Sequence, residues 1–398
     1  MRRQIALFTL IKVLFNTTYR MVYPFLSAFS GGLGMDLTAF SVIFAARSFT
    51  SMLAPFLAPI ADRRGRKTSM LLGMVVFILG AGLVALWPSY LTFFAAVVLT
   101  AFGANSIFLP AMQAYLGDKV AYARRGFVLA ITETSWSLSF IITVPLVGLL
   151  IGASGWIAPF PLLAGVGVAL MLLLAAVVPA TRPTVQSNGR LWHSLGRVLS
   201  FRPALAALIM SFAFTAANES VNLVFGVWLE DAFGLKLAAL GAASAAIGLS
   251  ELSGEGLSAL LVDRLGKERA IRGGIVLSAL AALGLNLLSG SEAGALLGLF
   301  LFYLTFEFTI VNSLPLVSEI LPEARASLLA ANFAAFALGR AAGSLLAPWL
   351  YQSVGFHANT ISALLFDLLA LAALGFIRLP NLVGAITQHP EGKHPGVD

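Results

Sequence analysis

The chain has 398 residues, of which 59% are hydrophobic and only 11% charged, and it contains no cysteine. Soluble domains are roughly 45–50% apolar and about 25% charged, so this composition predicts a membrane protein with many spans and excludes an ordinary soluble domain. Without cysteine there are no disulfides and no thiolate metal sites. The placement of the cations behind the net charge of +7 points to a membrane surface and not to nucleic acid.

Apolar runs of about 20 residues, long enough to cross a bilayer as a helix, recur along the chain between short polar breaks. Helices are expected because lipid offers no partner to an exposed backbone N–H or C=O group. We therefore predict an all-α membrane protein with twelve transmembrane spans. Numbered 1 to 12 in chain order, they are 5–29, 37–61, 68–87, 91–114, 127–151, 157–179, 204–228, 237–261, 270–290, 293–317, 327–350 and 358–378.

The positions of the lysines and arginines predict the orientation. With the N-terminus assigned to the cytoplasm, Lys236 is the one cation in a loop on the opposite side. Four more cations lie inside spans, and all the others fall in the cytoplasmic loops and termini. The positive-inside rule then places both termini in the cytoplasm of a multi-pass protein of the inner (plasma) membrane.

A polar segment separates spans 6 and 7. Within it, Leu191, Leu195 and Val198 share one helical face, which predicts a short amphipathic helix on the inner membrane surface. The chain is thus predicted to have four parts. They are a six-helix bundle at 1–179, a cytoplasmic linker at 180–203, a second six-helix bundle at 204–379 and a cytoplasmic polar tail at 380–398.

The second half of the chain echoes the first. The loop after span 2 reads Asp62-Arg63-Arg64-Gly65-Arg66, and the loop after span 8 reads Asp263-Arg264-Leu265-Gly266-Lys267. Leu109-Pro110 with Asp118 and Arg125 is matched by Leu314-Pro315 with Glu323 and Arg325. The two bundles are therefore predicted to be related by internal duplication.

Twelve spans, a duplicated half and the Asp-Arg-x-Gly-Arg/Lys motif in both loops resemble the major facilitator superfamily. The pattern is closest to its proton-coupled exporters of drugs and small molecules, and it covers essentially the whole chain. The resemblance implies alternating access of two bundles around a central site. In that family the loop motif latches the outward-facing state, which implies gating roles for Asp62, Arg63, Gly65, Arg66 and Lys67, and for Asp263, Arg264 and Gly266 in the echo.

Charged residues inside the spans need an explanation, because insertion scales assign each a cost of at least ~2.5–3.5 kcal/mol. Acids outnumber cations among them, so some carboxylates are expected to be neutral, and a carboxylate neutralised by burial is a proton-binding site. The residues are Arg20, Arg47, Glu133, Glu219, Glu251, Glu255, Glu307, Arg340 and Asp367.

Helical spacing aligns several of these charges with amides or aromatic rings, which favours faces turned to a bundle interior. The candidates for proton coupling are Glu133, Glu307 and Glu219. An interhelical ion pair is the simpler interpretation for Arg47, Arg340 and Asp367, and an equally good one for Glu251 and Glu255. The candidates for substrate binding are Arg20, Tyr23, Asn16, Arg47, Trp136, Asn218, Asn222 and Tyr303.

The leading prediction is a monomeric, proton-coupled secondary transporter that exports small amphipathic or drug-like molecules. Its partners are the small-molecule substrate, protons and the lipid bilayer. The alternative is a transporter of an organic anion or lipid, in which Arg20 and Arg47 hold the anion. A transport-inactive sensor or a membrane enzyme is a third hypothesis, but the sequence has no phosphate-loop, His-Glu-x-x-His or Gly-x-Ser-x-Gly motif. No enzyme activity, cofactor or metal is predicted.

Overall fold

The computed structural model describes residues 1–53, 65–180 and 191–377, apart from the side chains of 122, 123 and 191–195. In these ranges the chain is helical, with short connections and no strand. Ten helical segments of this described part are long and apolar enough to cross a membrane, and a bent pair of shorter helices allows an eleventh. The all-α membrane fold predicted from the sequence is confirmed.

The first two predicted spans differ from the other ten. Span 1 consists of α1 (Arg2–Arg20) and α2 (Leu26–Leu33), with a non-helical turn between them. Pro24 lies in this turn; it has no backbone N–H and disfavours a helical residue before it. The cations of α1 lower its apolarity, and α3 (Leu37–Ser51) covers only the first part of span 2. Twelve spans remain consistent with the structure.

The rest of the first bundle forms four spans in antiparallel succession. π-Helical turns at Phe102–Phe108 and Ser139–Thr143 keep spans 4 and 5 continuous, and such turns are frequent at functional sites. The helices are α4 (Arg66–Leu86), α5 (Tyr90–Ala101), α6 (Leu109–Lys119), α7 (Tyr122–Glu133), α8 (Ser135–Leu138), α9 (Val144–Ser154) and α10 (Pro159–Val177).

The linker contains one described helix, α11 (Leu191–Ser200), in which Val198 is buried and Leu199 is 53% exposed. The predicted polar tail lies outside the described residues. The second bundle consists of α12 (Arg202–Asn222), α13 (Phe225–Phe233), α14 (Leu237–Leu265), α15 (Lys267–Leu288), α16 (Glu292–Ile320), α17 (Arg325–Val354) and α18 (Phe356–Leu374).

The bundles meet at the end that carries the turns at 34–36, 155–158 and 234–236, which we call the distal end. There α2 packs on α13, α3 on α17, and α9 on α14. An apolar core runs from the first bundle into the second at these contacts. Side chains also bond across the interface: Ser27 donates to Glu230, and Thr38 Oγ1 donates to Gln352 Oε1 at 3.1 Å. The structure is therefore closed at its distal end.

The backbones of the two bundles come close together at Gly226. A Cβ added there would lie 2.6 Å from the carbonyl oxygens of both Tyr23 and Pro24, so only glycine fits without movement of the backbone. The breaks in spans 1 and 7 thus lie directly against each other.

We expect Gly226→Ala to destabilise the closed distal end, because the added methyl group meets backbone atoms that cannot rotate away. The loss should be about 1–3 kcal/mol, the usual range for overpacking. Thermal unfolding of the purified protein measures it, and Gly256→Ala is the matched control because nothing lies within 4 Å of a Cβ at Gly256. Equal unfolding temperatures for the two variants would contradict the tight crossing.

Candidate functional site

Both bundles have a broken helix where they face each other. α1 ends at Arg20 and α12 ends at Asn222, and α2 and α13 resume a few residues later in each case. Discontinuous helices of this kind form the midplane binding sites of many transporters, since their ends leave backbone groups free for ligands. A group of buried charged and polar side chains lies around these two breaks.

Arg20 joins the two bundles through Glu251. Its Nη1 and Nη2 donate to the two carboxylate oxygens of Glu251 at 2.8 and 2.6 Å. Nη1 also donates to the backbone oxygen of Trp136, and the guanidinium lies 3.4 Å from the ring centroid of Phe140. Both charged side chains are buried, at 2% and 3% exposure. A two-point ion pair in such a site is strong only while both partners are present.

Glu219 is the centre of a second cluster. It is fully buried and accepts hydrogen bonds from the Tyr23 hydroxyl at 3.0 Å, from Ser344 at 3.2 Å and from Asn222 at 3.3 Å. Arg340 Nη1 lies 3.6 Å from its second oxygen. Tyr23 belongs to the first bundle and the other partners to the second. Glu219 is therefore held between the bundles by three hydrogen-bond donors and by the guanidinium of Arg340.

Arg47 completes this cluster from the first bundle. Its Nη1 donates to the backbone oxygen of Tyr19 at 2.7 Å, and its Nη2 donates to the Tyr23 hydroxyl at 2.5 Å. The guanidinium also stacks over the Tyr19 ring at 3.6 Å. Arg47 makes no ion pair with any residue that the structure describes, and its buried Nε has no hydrogen-bond partner there. Tyr23 thus stands where an acid was expected.

The remaining amide and aromatic candidates occupy different surroundings. Tyr303 donates to Asn222 at 2.6 Å and so extends the Glu219 cluster into α16. Asn16 donates to Ser135 at 3.1 Å, within the first bundle. The Nδ2 group of Asn218 is buried and has no hydrogen-bond partner in the described part of the chain.

Glu133 and Glu307, the two leading proton-coupling candidates, occupy different surroundings. Glu133 is 55% exposed and lies 2.8 Å from Lys12 Nζ. Glu307 is 8% exposed and makes no hydrogen bond or ion pair with any described residue. Its Cβ lies 3.0 Å from the position that a Cβ on Gly254 would take, so it packs on α14 between Glu251 and Glu255.

The two remaining acids of the spans, Glu255 and Asp367, make few polar contacts. Glu255 accepts one hydrogen bond, from Ser137 Oγ at 3.1 Å. Asp367 lies on α18 beside Ser278, is 1% exposed and has an Oδ2 without a hydrogen-bond partner. The ion pair expected for Asp367 is not found among the described residues. Nor do they hold three or more His, Asp or Glu side chains grouped as for a metal ion.

The loop motif can be followed only in part, because Asp62, Arg63 and Arg64 lie outside the described residues. Gly65 and Gly266 adopt the same backbone conformation with positive φ: their φ angles are 85° and 79° and their ψ angles 147° and 146°. Glycine is favoured there because it alone has no Cβ. The loop motif is therefore repeated in backbone geometry as well as in sequence.

The cation after each glycine meets an acid at the end of a neighbouring span. Arg66 Nε lies 3.6 Å from Asp118 Oδ2, and Lys267 pairs with Glu319. The sequence comparison matched Asp118 with Glu323, but Glu323 pairs instead with Arg197 of the linker helix at 3.3 Å. Glu319 was not among the predicted site residues, although its position just after the predicted end of span 10 was a usable signal.

The chain matches a known protein family over most of its length. The family model described as Major Facilitator Superfamily matches residues 8–316. The chain is 29% identical over 331 residues to an uncharacterised MFS-type transporter of Bacillus subtilis (strain 168), YceJ, a match that covers 80% of this chain and 82% of that protein.

Two solved structures share the fold. A bacterial homologue of the human lysosomal transporter Spinster, in an inward-facing and unoccupied conformation, superposes with a TM-score of 0.72 at 13% identity over 94% of each chain. The human organic anion transporter MFSD10 (TETRAN) superposes with a TM-score of 0.68 at 18% identity over 95% of this chain and 99% of that one. At these identities the two structures are evidence for the fold alone.

Proposed function

The chain belongs to the Major Facilitator Superfamily, and we propose that it is a proton-coupled secondary transporter that exports small amphipathic or drug-like molecules. Membership makes it a multi-pass membrane transporter of small molecules and not an enzyme. The observation that carries proton coupling is Glu307, a buried carboxyl group in the polar interior with no partner among the described residues.

The other acids of the network are engaged. Glu251 is held by Arg20 at two points, Glu219 by Arg340 and three neutral donors, and Glu133 by Lys12. A coupling carboxylate has to take up and release a proton during the cycle, which a firmly paired anion does with difficulty. Glu307 is free of such ties, and Glu255, with one serine donor, is the next candidate.

An amphipathic substrate is supported by the mixture of groups in the same region. The rings of Trp136 and Phe140 lie over Arg20, and Tyr303 bonds to Asn222 beside Glu219. Apolar and aromatic surface with a few oriented polar groups is the usual composition of a small-molecule site. Export is the direction that the loop motif favours by its resemblance to exporters.

Transport of an organic anion receives less support from the geometry. Arg20 uses both terminal nitrogens on Glu251, and Arg47 uses both of its own on Tyr19 and Tyr23. An anion would have to displace these partners, with the cost of leaving buried polar groups unpaired. The anion hypothesis stays a prediction.

The proposal includes a monomer in the plasma membrane with both termini in the cytoplasm. A cysteine at Asn188 in the linker should then be protected from an impermeant thiol reagent added to intact cells, and react once the cells are opened. The background is clean because the natural chain has no cysteine. Labelling from outside intact cells would contradict the orientation, and a cysteine at Lys236 is the matched control that should react from outside.

The function itself is tested in two steps. A thermal-shift screen of the purified protein at two pH values identifies a stabilising amphipathic ligand. That ligand is then added to proteoliposomes that contain a pH-sensitive dye. We expect a pH change that depends on both ligand and protein. Ligand movement without any proton movement would refute proton coupling, and an absence of ligand movement would refute transport of that class of molecule.

A further inference from the structure

A groove of about 590 Å³ opens at the distal end, away from the central network. α13 forms one wall with Val227, Trp228 and Asp231, and the start of α3 contributes Leu37 from the first bundle. Besides Ala232 of α13, the remaining lining comes from the end of α17, the start of α18 and the residue between them: Tyr351, Gln352, Gly355 and Phe356.

The floor of the groove is aromatic. The rings of Trp228 and Phe356 stack with centroids 3.8 Å apart and an angle of 4° between their planes. The two residues are only 6% and 7% exposed, so their rings are fixed by packing. The part of this pair that reaches the groove is a preformed aromatic surface beside a polar rim, which suits the apolar body of an organic ligand.

The rim of the groove carries a carboxylate. Asp231 is exposed, and its Oδ2 accepts a hydrogen bond from the Tyr351 hydroxyl at 2.7 Å. It makes no ion pair with any residue that the structure describes. Tyr351 therefore holds the carboxylate at the rim, and the other oxygen remains available to a ligand.

The surroundings of the groove are acidic. Among described residues, the distal end carries one lysine or arginine, Lys236, and four acids: Asp36, Glu230, Asp231 and Glu292. A surface with this balance attracts cations and repels anions. The aromatic floor, the carboxylate held by Tyr351 and the acidic surroundings all favour an organic cation as the ligand.

We propose that this groove binds an organic cation with an aromatic or aliphatic body, the charge at Asp231 and the body over Trp228 and Phe356. The inference goes beyond the proposed function and does not depend on it, since neither Glu307 nor the central network takes part.

The test measures binding of radiolabelled tetraphenylphosphonium to the purified full-length protein in detergent by equilibrium dialysis. Tetraphenylborate has nearly the same size and shape with the opposite charge, and protein-free micelles correct for partition. We expect saturable binding of tetraphenylphosphonium and no saturable binding of tetraphenylborate. Asp231→Asn should weaken it about fivefold, the effect of one charge at contact distance in water.

Trp228→Leu should weaken binding about three- to tenfold through loss of aromatic contact with the body of the ligand. Glu292→Gln, at the same end but outside the groove, and Glu307→Gln, in the central network, should leave it unchanged. Equal binding of the two ions, or wild-type affinity in Asp231→Asn, would overturn the proposal. Loss of binding in Glu307→Gln would do so too, because the cation would then be bound at the centre. Asp231→Asn keeps the proposal testable if Trp228→Leu fails to fold, since Asp231 is exposed and asparagine can still accept from Tyr351.

Discussion

Glu307→Gln is expected to abolish accumulation of substrate against its gradient under an imposed pH difference, down to the level of protein-free liposomes. Glutamine has nearly the same shape as a protonated glutamate but can neither bind nor release a proton. Downhill exchange of substrate should survive, because a permanently neutral side chain still allows the bundles to rock. The measurement is uptake by proteoliposomes with and without the pH difference.

Glu292→Gln is the matched control for this variant. Glu292 lies on the same helix, α16, but in its exposed first turn at the distal end. The Glu292→Gln variant should accumulate substrate at the wild-type rate. If Glu307→Gln also accumulates substrate at that rate, Glu307 is not the coupling group, and Glu255→Gln becomes the variant to examine.

Glu251→Gln is expected to lower the stability of the protein by about 3–5 kcal/mol, because it leaves the buried charge of Arg20 without its anion. Removal of both charges, as in Arg20→Gln with Glu251→Gln, should restore a large part of that loss. The stabilities of Glu251→Gln, Arg20→Gln and the double variant, each compared with the wild type, form a double-mutant cycle. The cycle gives the coupling energy between Arg20 and Glu251 across the bundles. Thermal or denaturant unfolding in detergent supplies the data.

The exposed pair Arg272–Glu268 provides the control for burial. Its atoms are 2.7 Å apart, as close as those of the buried pair, but its side chains are 54% and 43% exposed. Glu268→Gln should therefore change stability by no more than about 0.3–0.5 kcal/mol. If the double variant of Arg20 and Glu251 is no more stable than Glu251→Gln alone, the two residues are not coupled as the structure places them.

The helices and the faces of the charged residues could be predicted from the sequence. Apolar length determines where a chain can cross lipid, and the cost of a charge in lipid requires Arg20 and Glu219 to face inward. The internal echo of Gly65 in Gly266 could also be predicted from the residues, since a backbone turn with positive φ favours glycine.

The partners of those charges could not be predicted. Arg20 pairs with Glu251, which is 231 positions away in the sequence. Helical spacing determines which face of its own helix a residue occupies, but not the height and rotation of the facing helix. Those are determined by close approaches between bundles, such as that of Gly226 to Tyr23 and Pro24. The isolation of Glu307 and the engagement of Glu133 with Lys12 depend in the same way on how helices pack within each bundle.

The central claim is that two bundles rock around the network and close one end at a time. Paired spin labels at Thr38 and Gln352 report on the distal end, and labels at Lys119 and Leu265 report on the opposite end. The absence of natural cysteines makes the labelling specific. Double electron–electron resonance over a range of pH, with the purified protein in nanodiscs, gives both distance distributions. We predict reciprocal populations, in which a short distance between positions 38 and 352 accompanies a long one between 119 and 265, and the reverse. Two distances that stay fixed at every pH and with ligand, or that lengthen and shorten together, would contradict alternating access.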